Sequence, residues 1–374
     1  MKKRMSVIIV AVFFFVCIIV APIAFIVAPK KNFSENENRN LAAMPRMSFS
    51  SVESGKFASE LEAYAIDHFP LRDFFVGFKT KLEIMLGKRE INDVYVCKNG
   101  YFMDVYNKPK NNSVLINGVN ELVSSVKNVN VELMLVPTAV CVYKNYLPKS
   151  ASCYDQLLTV DEIYKNVNCK TIDVFDVLNE HKDERQLYYK TDHHWKTGAA
   201  YLAYTEYCKE NNIVPIEESD FEIKTATTSF KGTTYSKIND YSVEGESIEY
   251  YENKNLDVEV FYDDTEELTN SFYEESYLQK KDKYSFFLNN LHYLLTVTNK
   301  SIKSDKEIVV IKDSFANCFV PFLANHYKKV YVIDPRNYND VISDFINEHK
   351  NVFDVLILYN VSTLDTDSGV SNIF

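Results

Sequence analysis

The sequence predicts an α/β fold built on a parallel sheet, and two observations carry that prediction. Toward its end the chain alternates in order: strand at Glu307–Ile311, helix at Phe315–Tyr327, strand at Lys329–Ile333, helix at Tyr338–Lys350, strand at Phe353–Tyr359. Alternation of this kind places parallel strands between crossover helices. Earlier, short apolar runs bounded by turn residues mark further strands at Val94–Val96, Glu132–Val136 and Thr171–Val174, with helical patterns between them.

The first element is of another kind. After Met1-Lys2-Lys3-Arg4 comes an uncharged apolar run from Met5 to Ala28. As a helix it would be roughly 36 Å long, enough to cross a hydrocarbon core of about 30 Å. It is longer than a secretory signal core and carries no small-x-small cleavage site, so it reads as an uncleaved anchor with Cys17 an ordinary membrane cysteine. Lys2, Lys3 and Arg4 before the span, against Lys30 and Lys31 after it, favour a cytoplasmic N-terminus and an extracellular remainder. Residues 1–31 are thus expected to be a cytoplasmic tip and transmembrane anchor, placing the protein at the cell membrane. Residues 32–50, polar through Ser34-Glu35-Asn36-Glu37-Asn38-Arg39, are expected to be a stalk without packed elements, and residues 51–374 one extracellular α/β domain. Within it, Val52–Leu86 carries apolar residues at helical spacing broken at Pro70, which predicts two amphipathic helices. Thr197 can cap a helix reaching about Asn211. Residues from about 217 to 300, rich in Tyr, Thr, Ser, Asp and Glu, are expected to form a β-rich, mostly solvated insertion.

Charge narrows the partners. Of 41 basic and 52 acidic residues, five basic and no acidic ones lie in residues 1–31, which leaves 36 against 52, a net of −16. A nucleic-acid partner is excluded on that balance. The six cysteines beyond the span (Cys97, Cys141, Cys153, Cys169, Cys208, Cys318) show no zinc-ligand spacing. They read as buried thiols, with Cys153 and Cys169 the nearest pair for a bridge.

Two segments carry chemistry: Tyr189-Lys190-Thr191-Asp192-His193-His194-Trp195 and Ile311-Lys312-Asp313-Ser314-Phe315. Nucleophilic acyl transfer needs a hydroxyl, an imidazole to take its proton and a carboxylate to orient the imidazole. Ser314, His194 and Asp192 are of those types. Ser314 sits between a strand and a helix, at the carboxyl end of the sheet where sites of open α/β folds gather, yet a Ser there is also a good helix cap. In extended backbone Asp192 and His194 share one face and His193 points away. The same trio suits a metal, though no other histidine has ligand-like spacing, so neither metal nor cofactor is expected. Trp195, the sole tryptophan, can wall a pocket or stack on a sugar, or simply pack in the core. Arg336, at a strand end, can meet an acyl or sugar oxygen or form an ion pair, and Asn317 and Asn360 are candidate oxyanion donors.

Asp192-His193-His194-Trp195 resembles the signature of the bacterial DHHW protein family. The resemblance extends through the 34–39 stalk, Asp67-His68-Phe69-Pro70-Leu71-Arg72, Val136-Pro137, Phe230-Lys231-Gly232-Thr233, Lys281-Asp282-Lys283-Tyr284 and Ile311-Lys312-Asp313-Ser314-Phe315-Ala316-Asn317. More distantly the chain is similar to alginate acetylation proteins with an SGNH-hydrolase-like domain. That resemblance implies a three-layer, flavodoxin-like parallel sheet in permuted order, because the Asp-x-His segment precedes the serine. It implies Ser314 as nucleophile, His194 as base and Asp192 as orienter. The implied activity is O-acyl transfer, most simply of acetyl, to an extracellular polysaccharide, beside a multi-pass membrane O-acyltransferase that supplies the acyl group. An esterase using the same triad, or a catalytically silent glycan-binding or assembly protein, are the alternatives. The palmitoyltransferase motif differs, since position 195 is Trp and not Cys. Where a Gly-Gly pair is expected after Lys281-Asp282-Lys283-Tyr284, this chain has Asn289-Asn290-Leu291-His292, which questions the turn there.

Overall fold

Strands buried on both faces read as near-continuous apolar runs, and three segments of this chain carry such a run. In the computed structural model they form the centre of an eight-stranded sheet. We number its strands β1 (Asn130–Val136), β2 (Lys170–Ile172), β3 (Val258–Tyr262), β4 (Glu267–Thr269), β5 (Leu294–Asn299), β6 (Glu307–Lys312), β7 (Lys329–Ile333) and β8 (Val352–Asn360). They lie in the order β4-β3-β5-β7-β6-β8-β1-β2. The five strands β7, β6, β8, β1 and β2 are parallel. All six residues of β6 are buried, as are Val131–Val136 of β1 and Val355–Asn360 of β8, which matches a sheet covered on both sides. The structure describes residues 2–373. Met1 and Phe374, the outer limits of the expected anchor and domain, lie outside the described residues, as do the side chains of Lys2, Lys3, Arg4 and Cys17.

Counted cyclically from β6, the parallel strands read 2-1-3-4-5, the order of doubly wound flavodoxin-like sheets. The chain leaves β6 for β7 on one side and then crosses to β8 on the other, so the direction of winding reverses between β6 and β8. Their carboxyl ends diverge there, which makes a crevice without any special side chain.

Two expectations are corrected around this sheet. The 217–300 region is not a solvated insertion: β3, β4 and β5 extend the main sheet antiparallel from β7, and Tyr262, Tyr284, Phe286 and Phe287 are buried. Tyrosine supplies the large apolar area there while its hydroxyl keeps a polar partner, so a Tyr-rich composition does not imply solvation. Only the hairpin of Glu222–Phe230 with Glu246–Glu252 stands apart from that sheet. Likewise, the helix expected over Phe315–Tyr327 is a 3-10 turn, Ser314–Cys318, followed by a short helix, Val320–Leu323. Pro321 has no N–H to give and clashes with the carbonyl four residues back, so a helix starts anew with Pro in its first turn.

Residues up to Lys88, with Ser236–Ser242, form one compact unit, and Arg89–Tyr235 with the chain from Val243 onward form the other. The helices of 56–85 thus group with the N-terminal unit. In that unit the apolar N-terminal segment is helical from Lys2 to Val27, with a π-helical turn at Val16–Val20 just before Pro22. Val10–Val27 is long and apolar enough to cross a membrane. The predicted stalk is folded: Phe33–Ser34 pairs with Arg39–Asn40, and Asp67 accepts hydrogen bonds from the Arg39 guanidinium and the Ala42 amide. A buried carboxylate with such donors fixes a polar segment that periodicity alone reads as loose. Helices Lys56–Asp67 and Arg72–Met85 flank Pro70 as predicted. The six cysteines beyond the apolar N-terminal helix are free thiols, Cys153 and Cys169 among them.

Candidate active site

The site is assembled from the end of β6 and the loop that follows the helix Phe175–His181. Two capping residues compete at the end of β6, and Asp313 wins. Its Oδ1 accepts the Phe315 N–H at 2.8 Å, and its Oδ2 accepts the backbone N–H and the Nδ2 of Asn360, each at 2.7 Å. Asp313 therefore caps the 3-10 turn and ties the carboxyl ends of β6 and β8 together across the crevice. Ser314, relieved of capping, lies with its Oγ 2.7 Å from His194 Nε2.

The loop bearing His194 is not extended. Tyr188 and Trp195 form an antiparallel bridge, and His194 N–H donates to Asp192 Oδ1 at 3.0 Å, so residues 189–194 make a tight bend. Glu246 holds the start of that bend, accepting from the N–H groups of Lys190 and Thr191 and from Thr191 Oγ1. At its apex Asp192 Oδ1 receives His194 Nδ1 at 2.5 Å, while Oδ2 accepts the N–H and Oγ1 of Thr233 at 2.8 and 3.0 Å. Hydroxyl, imidazole and carboxylate thus lie in one hydrogen-bonded line. His193 does not point away: its ring lies 3.9 Å from that of His194, centroid to centroid, and its Nδ1 is 2.6 Å from Thr233 Oγ1.

The electrostatics suit proton transfer from Ser314. Burial lowers the His194 imidazole to about 4, with His193 pushing the same way against the pull of Asp192. At neutral pH the ring is therefore uncharged and free to accept a proton. Burial alone would raise the Asp192 carboxyl, but the charges of His193 and His194 and the hydrogen bonds from His194 and Thr233 outweigh it and hold it below its ordinary range. Asp192, His193 and His194 also offer ligand atoms within 4.8 Å of one another. Both ring nitrogens of His194 are already engaged, however, by Asp192 and Ser314. A metal ion at His194 would have to break that line.

Sequence reasoning did not single out several groups that shape this site. A Cβ on Gly232 would lie 2.1 Å from Asp192 Oδ2, so only glycine lets the backbone approach closely enough for Thr233 to reach the carboxylate. Tyr284 stacks on the His194 ring at 3.7 Å with 12° between the planes, fixing the imidazole from the side. Gly232 and Tyr284 both stand in segments that carry the family resemblance, which was their only signal, and Glu246 had none.

The remaining candidates divide. Asn317 is buried one turn beyond Ser314, and its Oδ1 has no hydrogen-bond partner. Asn360 does not reach the serine, because its Nδ2 is committed to Asp313 and Thr363. The Arg336 guanidinium is spent on buried Asp334, which also faces Lys312 at 3.5 Å. Trp195 is fully buried, and its Nε1 donates to Phe315 O at 2.9 Å. It packs against the turn that carries Ser314 and offers no open face to a sugar. The Asn289-Asn290 departure proves to be a tight turn after all: Leu288, Asn289 and Asn290 have φ of 54°, 55° and 75°, and asparagine tolerates that left-handed region better than most residues.

A family model described as DHHW protein matches residues 89–333. No curated protein matches the sequence. Among solved structures, a DHHW family protein from Eubacterium siraeum DSM 15702 is 23% identical, with a TM-score of 0.65 over 76% of this chain and 95% of that one. Bacillus cereus PatB1, with a sulfonyl adduct, is 20% identical, with a TM-score of 0.61 over 74% of this chain and 98% of that one. The O-acetyltransferase domain of Pseudomonas putida AlgJ is 12% identical, with a TM-score of 0.45 over 73% of this chain and 92% of that one.

Proposed function

The chain belongs to the DHHW protein family, and from that premise we propose that it is a membrane-anchored extracellular O-acyltransferase moving acetyl groups onto a polysaccharide through an acyl-serine intermediate. One observation carries the reading: the unbroken line from Asp192 through His194 to Ser314. The strand order supports it further. Counted from β6, the serine follows the first strand and the Asp-His loop follows the last, as in an SGNH-hydrolase-like fold opened at a different point in the chain.

Neutral His194 takes the Ser314 proton through Nε2 as Oγ bonds to the donor's acyl carbon, and Asp192 stabilises the imidazolium that forms. The leaving group departs with that proton. A sugar hydroxyl then attacks the acyl-serine, giving its proton to His194, and the Ser314 Oγ–carbon bond breaks as the proton returns to Ser314. Asn317 is the side chain best placed in sequence to meet the oxyanion, one turn beyond the nucleophile. The acetyl donor emerges from the membrane through a multi-pass O-acyltransferase, which gives the N-terminal helix its purpose.

The test uses the full chain with a labelled acetyl ester and a cell-surface glycan. Label is expected on the glycan and, transiently, on the peptide containing Ser314, and a sulfonyl fluoride is expected to modify that same serine. Ser314→Ala removes all three signals. Acetate release without any glycan label, whatever the acceptor concentration, would make the protein an esterase. Survival of both ester turnover and glycan acetylation in Ser314→Ala would leave Ser314 as a turn residue and end the enzyme reading.

A further inference from the structure

The helix Arg72–Met85 is amphipathic in the wrong sense for a soluble domain. Its two fully buried residues are small or polar: Gly77, where a Cβ would collide with the Tyr241 ring, and Thr80, whose Oγ1 donates to Ile238 O. Its outer face is apolar. Leu71, Phe74, Phe78, Leu82, Met85 and Leu86 are 45 to 79% exposed. At about 100° per residue these six fall within an arc of about 120°, a continuous stripe along four turns. Lys79 lies about 80° to one side of the arc's centre and Lys81 about 80° to the other. Both are exposed, the Lys79 side chain by 75%.

A stripe of Phe, Leu and Met bordered on both sides by lysines is the pattern of a helix lying in a membrane interface, its rings among the acyl chains and its ammonium groups at the phosphates. The rest of this unit says which occupant covers the stripe. The helix able to cross a membrane ends at Val27. Its exit is fastened to the helix Lys56–Asp67, which leads into the striped one: Phe25 packs edge-on against Tyr64, Lys30 Nζ lies 3.7 Å above the Phe25 ring, and the Nε2 of His68, which ends that helix, is 3.0 Å from Lys31 O. Arg72, the first residue of the striped helix, is bonded to Glu37. The stripe therefore begins where the span would leave the bilayer.

We infer that Arg72–Met85 is a second membrane-contacting element, a helix lying flat in the outer leaflet interface and binding anionic phospholipid through its apolar stripe, Lys79 and Lys81. The inference rests on the proposed reading of the N-terminal helix as a span. It gives the anchor two points of attachment, which fixes the tilt of the tethered unit where a lone span would leave it free.

The test places a tryptophan on the stripe of the full chain, Phe78→Trp, reconstituted into phosphatidylcholine vesicles containing phosphatidylglycerol. Trp195 is buried, and the unmodified chain supplies its background. The new emission is expected to be blue-shifted, quenched by lipids brominated near the headgroup and protected from aqueous iodide. Protection is expected to weaken when Lys79→Glu and Lys81→Glu are added. Emission that stays red, open to iodide and indifferent to bromolipid overturns the inference. So does protection that appears only when a membrane protein is co-reconstituted, since the stripe would then be a protein-docking face. Ile18→Trp, read with lipids brominated deep in the chain, reports the span separately, so that loss of the interfacial helix and loss of the anchor are distinguishable.

Discussion

At the scale of residues, the proposed chemistry depends on keeping one imidazole uncharged between a carboxylate and a hydroxyl. Burial sets the His194 value at about 4, and His193 adds to the effect. The working form is the deprotonated one, so acyl transfer is expected to be flat near neutrality and to fall as pH drops through about 4. A pH profile of kcat/KM for a small acetyl ester checks this. His193→Gln keeps a hydrogen-bonding group near Thr233 and removes the neighbouring charge, so the acid limb should move to higher pH. An unmoved limb would mean that His193 does not act on His194. Gly232 offers a second check. An alanine Cβ there must displace the Asp192 carboxylate, and overpacking of this sort costs about 1–3 kcal/mol of stability. A misplacement of order 1 Å at the chemistry costs about a hundredfold in rate. Gly232→Ala is therefore expected to lose about a hundredfold in kcat together with about 1–3 kcal/mol of stability, read by turnover and by a thermal melt, and an unchanged kcat would mean that the Asp192 carboxylate keeps its place.

At the scale of elements, the sequence made legible what is periodic and hid what depends on a partner. The strands β6, β7 and β8 could be read because they are buried on both faces, and the helices around Pro70 because their spacing is helical. Asp192, His194 and Ser314, singled out by residue type, lie in one hydrogen-bonded line. What escaped was set by contacts distant in sequence: Asp313 as the cap rather than Ser314, the commitment of Asn360, and the joining of the Tyr-rich region's strands to the main sheet. The Asn289-Asn290 turn is a milder case, in which the expected glycines are replaced by the residue that, after glycine, best tolerates the same backbone. Its physics is testable in the folded chain. Asn289→Gly should change stability by only a few tenths of a kcal/mol, whereas Asn289→Val should cost about 1–2 kcal/mol, because a β-branched side chain clashes in the left-handed region. Equal melting points for the two variants would contradict the φ of 55°.

At the scale of the whole molecule, the proposed chemistry and the proposed tether reside in different units, which makes them separable by experiment. The Asp192-His194-Ser314 line lies wholly within the unit that begins at Arg89, and the helix long and apolar enough to cross a membrane lies within the unit of residues up to Lys88. On the proposed reading the tether does nothing to the barrier at Ser314. It keeps the serine near a donor that emerges from the bilayer, where a short tether gives effective concentrations of order mM. A chain exported without residues 1–31 is therefore expected to turn over a soluble acetyl ester like the full protein and to fail in acetylating the glycan of living cells. An unrelated transmembrane helix fused at residue 32 should restore acetylation, because proximity is all that was removed. The measurement is glycan acetyl content in cells lacking the native gene and supplied with each form. Full acetylation by the released form would show that the donor arrives from solution, and it would leave the anchor without a part in the reaction.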